Sequence, residues 1–65
     1  MHMSVKRRDI IRHLERYGFL FQREGGNHTI YTNSQGVSVP VVRHNTFSRT
    51  EANRICREAG IPQIF

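Results

Sequence analysis

Two adjacent glycines, Gly25-Gly26, separate two short runs that each read as β-strand. Glycine has no Cβ and tolerates positive φ, so the backbone can reverse there or pass close to a ligand. Before the pair, the alternation of Phe19 to Glu24 puts Phe19, Phe21 and Arg23 on one face and Leu20, Gln22 and Glu24 on the other. After it, Asn27 to Thr32 puts His28 and Ile30 on one face and Thr29 and Tyr31 on the other. The pattern predicts a hairpin turning at Gly25-Gly26. His28 then stands at the mouth of the second strand, rigid at its base and open to solvent at its tip. Asn33-Ser34-Gln35-Gly36 supplies a second turn, and Val37 to Val42 a third strand. Pro40 cannot donate to a ladder, so that strand is an edge or is bulged.

A helix is expected on each side of these strands. Ser4 can cap the first through its hydroxyl. Val5, Ile10, Ile11, Leu14 and Tyr17 form its apolar stripe, and Gly18 ends it. Ser48-Arg49-Thr50-Glu51 is a capping box that opens the second helix. Ala52, Ile55, Cys56 and Ala59 form the buried stripe of that helix; Gly60 and Pro62 mark its end. The expected class is α+β, in the order α-β-β-β-α. Three antiparallel strands form a meander and both helices cover one face of it. One domain over residues 4–65 is expected, with Met1-His2-Met3 as an expression remnant. The apolar tail, Ile61 to Phe65, either packs on the domain or binds a partner.

The chain has 65 residues. A chain this short buries only about 60% of its unfolded surface, which leaves a thin core and no room for a cofactor domain. Ten Lys and Arg face five Asp and Glu, for a net charge of +5, and Lys6 is the sole lysine. Arginine's planar fork matches phosphate oxygens two at a time. Such a balance points to nucleic acid or to an acidic protein partner, or to no more than a solvated surface. One cysteine, Cys56, allows no internal disulfide and reads as a small core residue. No apolar run reaches the roughly 18 residues of a membrane span and no signal peptide is visible, so a cytoplasmic location is expected.

Metal-ligand spacing, P-loops and dinucleotide fingerprints are absent from the sequence, so no metal and no cofactor is expected. Any chemistry must use an imidazole, arginines and backbone amides. His13 reads as a partly exposed surface residue, and His44 as a loop residue able to touch a phosphate or a partner. His28 has the strongest placement, although histidines are also common in turns. Arg8, Arg12 and Arg16 recur every four residues as one row, which is either a solvated face or a rail for phosphates. RNA cleavage needs only this much, because RNA carries its own nucleophile in the 2′-hydroxyl. A base to remove that proton and cations at the phosphate complete the requirement.

The layout as a whole resembles the HicA toxins of HicA–HicB toxin–antitoxin pairs. The resemblance runs from Ser4 to Ile61. It rests on Gly-Gly-Asn-His at 25–28, Val-Pro at 39–40, His44-Asn45, Ser48-x-x-Glu51 and Ala59-Gly60-Ile61. It implies a fold like a double-stranded-RNA-binding domain and an mRNA interferase that arrests translation and growth. It also implies neutralisation by a HicB-type antitoxin that covers the active site. His28 takes the position of the family's catalytic histidine, with Asn27 where serine is common. No general acid comes with the resemblance. On this reading His28 is the general base acting on an mRNA substrate. Gly25, Gly26 and Asn27 let the phosphate approach the backbone, and Arg23 is a near phosphate contact. Lys6, Arg8, Arg12 and Arg43 hold the RNA more generally. The alternatives are a non-catalytic RNA-binding module of the same fold, or a domain whose arginines serve an acidic protein.

Overall fold

The computed structural model describes residues 4–65; the expected remnant, residues 1–3, lies outside them. The valine-rich run of the sequence becomes a strand that alternates as expected. In β4 (Ser38–Val42), Val39 and Val41 are fully buried and Pro40 is exposed. Ahead of it come β2 (Leu20–Gly25) and β3 (His28–Thr32), and the three make an antiparallel sheet in the order β2-β3-β4. Pro40 therefore sits on an edge strand, opposite Ile30, in an unbroken register. The face carrying Tyr31, Val39 and Val41 packs against Ile10 and Leu14 of α1 (Arg7–Arg16) and against Ala52, Ile55, Cys56 and Ala59 of α2 (Arg49–Ala59) in one core. The order helix, three-stranded meander, helix is the α-β-β-β-α arrangement of a double-stranded-RNA-binding domain. Among the described residues, no helix is long and apolar enough to cross a membrane.

Both helices stop at glycine for one reason. Gly18 (φ 87°) and Gly60 (φ 73°) take the left-handed conformation that lets the next amide reach back to the last turn. After α1, the Phe19 amide donates to the Leu14 carbonyl at 3.0 Å, and this swings the Phe19 ring into the core. The start of α1 departs from expectation. Ser4 does not cap it; the capping position is Lys6, with no side-chain bond. The chain before α1 is instead held as a strand. β1 (Val5–Lys6) pairs with β5 (Thr46–Phe47), and the Arg7 amide donates to the Asn45 carbonyl at 2.9 Å. Val5 and Phe47 enter the core together through that pairing.

Two more side chains on α1 differ from the expected pattern. Tyr17, placed in the apolar stripe, is 46% exposed, because it lies at the helix terminus where the chain turns away. His13, expected partly exposed, is only 5% exposed. Its Nε2–H donates to the Pro62 carbonyl at 2.7 Å, and its ring stands edge-on to Tyr17 and Phe65. The tail thus packs on the domain rather than standing free. The Phe65 amide donates to Asn53 Oδ1, and Arg49 Nε donates to the Phe65 carbonyl, both at 3.0 Å. Ile61 joins the core. Cys56 is buried as expected, and burial pushes its thiol up from the ordinary range.

His13→Ala deletes a buried hydrogen bond and two ring contacts. The expected cost is about 2–4 kcal/mol. For a domain of this size that lowers Tm by about 8 °C or more. A thermal melt within about 3 °C of the parent would contradict the role given to His13. The capping box of α2 makes a second prediction. Hydrogen bonds that the Glu51 carboxyl accepts from the Ser48 amide and, secondarily, from the Ser48 side chain hold it below its ordinary 4.5, exposed as it is. A folded-state value below the unfolded one stabilises above the unfolded pKa and is lost as pH falls through the folded one. The Tm gap between parent and Glu51→Ala should therefore be full above about pH 4.5 and shrink on acidification below it. A gap that widens in acid would refute this assignment.

Candidate active site

The hairpin that carries His28 turns one residue later than the glycine pair suggests. Gly25 is the last residue of β2 and pairs with His28; the two turn residues are Gly26 and Asn27. Gly26 has φ 57° and, among the described residues, no non-glycine residue has positive φ, the pattern of a tight turn with glycine at its first central position. Closing the ladder at Gly25–His28 fixes the histidine backbone. Its ring is fixed too, since Nδ1 lies 2.9 Å from the Gly25 carbonyl oxygen. A carbonyl can only accept, so Nδ1 carries the proton. In the uncharged ring Nε2 then holds the lone pair. His28 is exposed, so this nitrogen is the one left for an incoming group.

Arg23 reaches the same face by an irregularity. The register between β2 and β3 shifts between Phe21 and Arg23, leaving Gln22 as the extra residue. Phe21 pairs with Tyr31 on the core side, while Arg23 pairs with Ile30, which shares its face with His28. The expected alternation, with Phe19, Phe21 and Arg23 on one face, is thus broken at Gln22. Phe21 keeps its pairing on the outer strand β2 and is 56% exposed, with its ring edge-on to Tyr31. After the shift the Arg23 guanidinium crosses Gly25. Nη1 lies 3.1 Å from the point a Cβ on Gly25 would occupy, so the missing side chain is the space the cation uses.

Beneath this surface runs a polar chain. Arg7 Nη2 donates to Thr29 Oγ1 at 2.8 Å, and Thr29 donates in turn to Glu24 Oε1 at 3.1 Å. The same Glu24 oxygen pairs with Arg43 Nη2 at 2.6 Å. Arg7 Nε also reaches the Val42 carbonyl at 3.4 Å, and the Arg43 amide donates to the Asn27 carbonyl at 3.1 Å. Burial raises the Tyr31 phenol pKa, with the Arg7 guanidinium acting in the opposite direction.

Three clefts meet around the end of β4. The largest, about 660 Å³, brings Lys6, Arg8 and Arg12 together with Arg7. A second, about 350 Å³, lies between Asn27 and the loop residues Arg43 and His44. The third, about 240 Å³, has His28, Pro40 and Val42 on the sheet side and Glu51, Arg54 and Glu58 on α2. Val42 lines the second and the third, and its carbonyl holds the Arg7 side chain of the first. The residues singled out in the sequence therefore fall into two groups. Arg23, Gly25, Gly26, Asn27, His28 and Arg43 gather at the hairpin, and Lys6, Arg8 and Arg12 gather along α1. Arg16 lines a neighbouring depression with Ile64 and Phe65, and Arg12 borders both, so the row along α1 continues past the cleft. Sequence reasoning missed Arg54, because an arginine between Ala52 and Ile55 looks like any outward helix residue. It also missed the anchoring part of Arg7, for which only the burial of Thr29 gives a signal.

The family model described as the HicA toxin of bacterial toxin–antitoxin systems matches residues 7–61. No curated protein matches the chain. The matched stretch covers both helices, the whole meander and the His28 hairpin, and the chain belongs to the HicA toxin family of bacterial toxin–antitoxin systems.

Proposed function

We propose that this toxin is an endoribonuclease that cuts mRNA and so arrests translation, with His28 as its general base. The observation that carries the reading is the Nδ1–H bond to the Gly25 carbonyl, which leaves the exposed Nε2 as proton acceptor. Nε2 takes the proton of the substrate's 2′-hydroxyl. The freed oxygen attacks the adjacent phosphorus, and the P–O5′ bond breaks. The products are a 2′,3′-cyclic phosphate and a 5′-hydroxyl end, whose proton comes from solvent. Negative charge gathers on the phosphate as this happens, and Arg23, on the same sheet face as His28 and folded over Gly25, is the cation we assign to stabilise it.

The remaining cations suit a polyanion longer than one phosphate. Lys6, Arg8 and Arg12 border an open cleft that Arg7 and the Val42 carbonyl connect to the hairpin end of the sheet. They would hold flanking phosphates, an electrostatic grip that weakens with salt. Arg43 is bound to Glu24 and contributes a shared charge rather than a free fork. Membership in the family supports a HicB-type antitoxin as the neutralising partner. The basic clefts favour a partner that presents acidic groups to them.

Purified His28→Ala should melt like the parent, since the ring is exposed, and should lose at least about 10²-fold in RNA cleavage. Cleavage by the parent should persist in EDTA. Cleavage by His28→Ala at the parental rate would remove the histidine from the mechanism. Binding of RNA by the parent without any cut product would instead identify a non-catalytic RNA-binding module. Arg8→Ala and Arg12→Ala should each weaken RNA binding and lower the slope of log K against log salt by about one. Slopes equal to the parent's would place the RNA elsewhere.

A further inference from the structure

We infer that Arg54 of α2 is the second phosphate-binding cation of the active site, closing on the scissile phosphate from the side opposite Arg23. The inference rests on the ribonuclease reading and extends it to a residue on another element. The argument starts from the cleft of about 240 Å³ that His28 shares with Pro40 and Val42 across from Glu51, Arg54 and Glu58. Its floor is apolar and its far wall is one exposed helix face. Arg54 is the only cation among the cleft's lining residues. The described residues give it no ion pair or hydrogen bond, whereas Arg7, Arg43 and Arg49 are all engaged by protein acceptors.

Two carboxylates, Glu51 and Glu58, share the helix face with Arg54. Glu51 precedes it by three residues and is occupied by the capping box, where its Oε1 accepts from the Ser48 amide at 3.1 Å. Arg54 is near enough to Glu51 to lower its pKa. Glu58 follows Arg54 by four residues, the spacing at which side chains on a helix face each other. Among the described residues neither carboxylate is within ion-pair distance of Arg54, so the guanidinium keeps its N–H groups for a ligand. A planar fork suits two non-bridging phosphate oxygens.

The geometry also sets an order along the substrate. Arg23 lies on β2, His28 on the neighbouring strand β3, and Arg54 beyond β4 on α2. Arg23 and His28 share the open face of the sheet while α2 packs on the other, so an RNA strand on that face reaches Arg54 by passing the β4 edge through the cleft it shares with His28. A phosphate between His28 and Arg54 has a base on the sugar side and a charge-stabilising fork on its oxygens. This arrangement supplies the transition-state contact that an exposed histidine lacks on its own.

The test is single-turnover cleavage of an RNA oligonucleotide at saturating protein. Parent, His28→Ala, Arg54→Ala, Arg54→Lys and Arg54→Ala/Glu58→Gln are compared, and binding is measured separately on a 2′-O-methyl copy that cannot be cut. Thermal melts confirm that each variant folds. Arg54→Ala should lose about 10²–10³-fold in the rate at saturation, with a much smaller loss in affinity. Arg54→Lys should recover part of the rate, because a point charge replaces a fork. The double variant should stay as slow as Arg54→Ala. Rescue by Glu58→Gln would show that Arg54 only neutralises a neighbouring carboxylate, and would overturn the inference. A saturated rate within about threefold of the parent would overturn it as well. Loss of cleavage in His28→Ala alongside a normal Arg54→Ala sinks this inference and leaves the ribonuclease reading intact. A parent that binds RNA without cutting it sinks both.

Discussion

The hydrogen bond from Arg7 to Thr29 ties the structure together. Thr29 is buried at the centre of the meander, and its hydroxyl must be satisfied there. One oxygen accepts from Arg7 and donates to Glu24, which uses both capacities of a hydroxyl. Through Glu24 the chain continues to Arg43, and through the Arg43 amide to the carbonyl of turn residue Asn27. The first turn of α1, the hairpin and the loop after β4 are thereby closed around one buried atom. A polar group left unsatisfied at such a site costs about 1–3 kcal/mol, a large fraction of what a chain this short has in hand. This is how a thin core holds a surface histidine in a fixed place. The rigidity comes from below the site rather than from walls around it.

Much of this was legible in the sequence, and the failures share a physical cause. Local signals were read well. The capping box at Ser48–Glu51, the glycine stops at 18 and 60 and the buried valines of β4 all depend on neighbours in sequence. What was misread depends on partners far along the chain. Ser4 looked like a cap, but residues 5–6 find residues 46–47 and become a strand. His13 looked like a surface residue, because nothing local shows that Pro62 will offer it a carbonyl. The hairpin face of Arg23 could not be read, since alternation cannot foresee that Gln22 will be skipped in the register. That slip had a useful outcome, for it turned the cation toward the histidine. Arg54 was invisible for the same reason. Its neighbours in the cleft, His28 and Pro40, come from other elements.

Net charge overstates what the protein can offer a phosphate. The count of +5 gives every arginine the same weight. The fold sorts them. Arg7 and Arg49 are turned onto protein oxygens and Arg43 onto a carboxylate. Those three hold structure and add only to the long-range field. Lys6, Arg8 and Arg12 remain along one cleft, with Arg23 and Arg54 on either side of His28. A basic surface would attract RNA without regard to position. On the proposed ribonuclease reading, a sorted one would determine which phosphate stops beside the imidazole.

An exposed site has a cost that the substrate itself can offset. Charges in water interact weakly, and the same pair gains several-fold when the effective dielectric falls. His28 lies in the open, and the cleft beside it is too small to exclude solvent unaided. A bound strand would cover that cleft, and its bases and sugars would displace water from around the reacting phosphate. On the proposed ribonuclease reading the polymer would complete the catalytic environment, and so short a chain would need no deep pocket. The same openness makes the site easy to block. A protein that lays carboxylates across the Arg8–Arg12 cleft and fills the space beside Val42 would compete for every contact the RNA needs. A toxin built this way can be silenced by occupancy alone, with no change in its own fold.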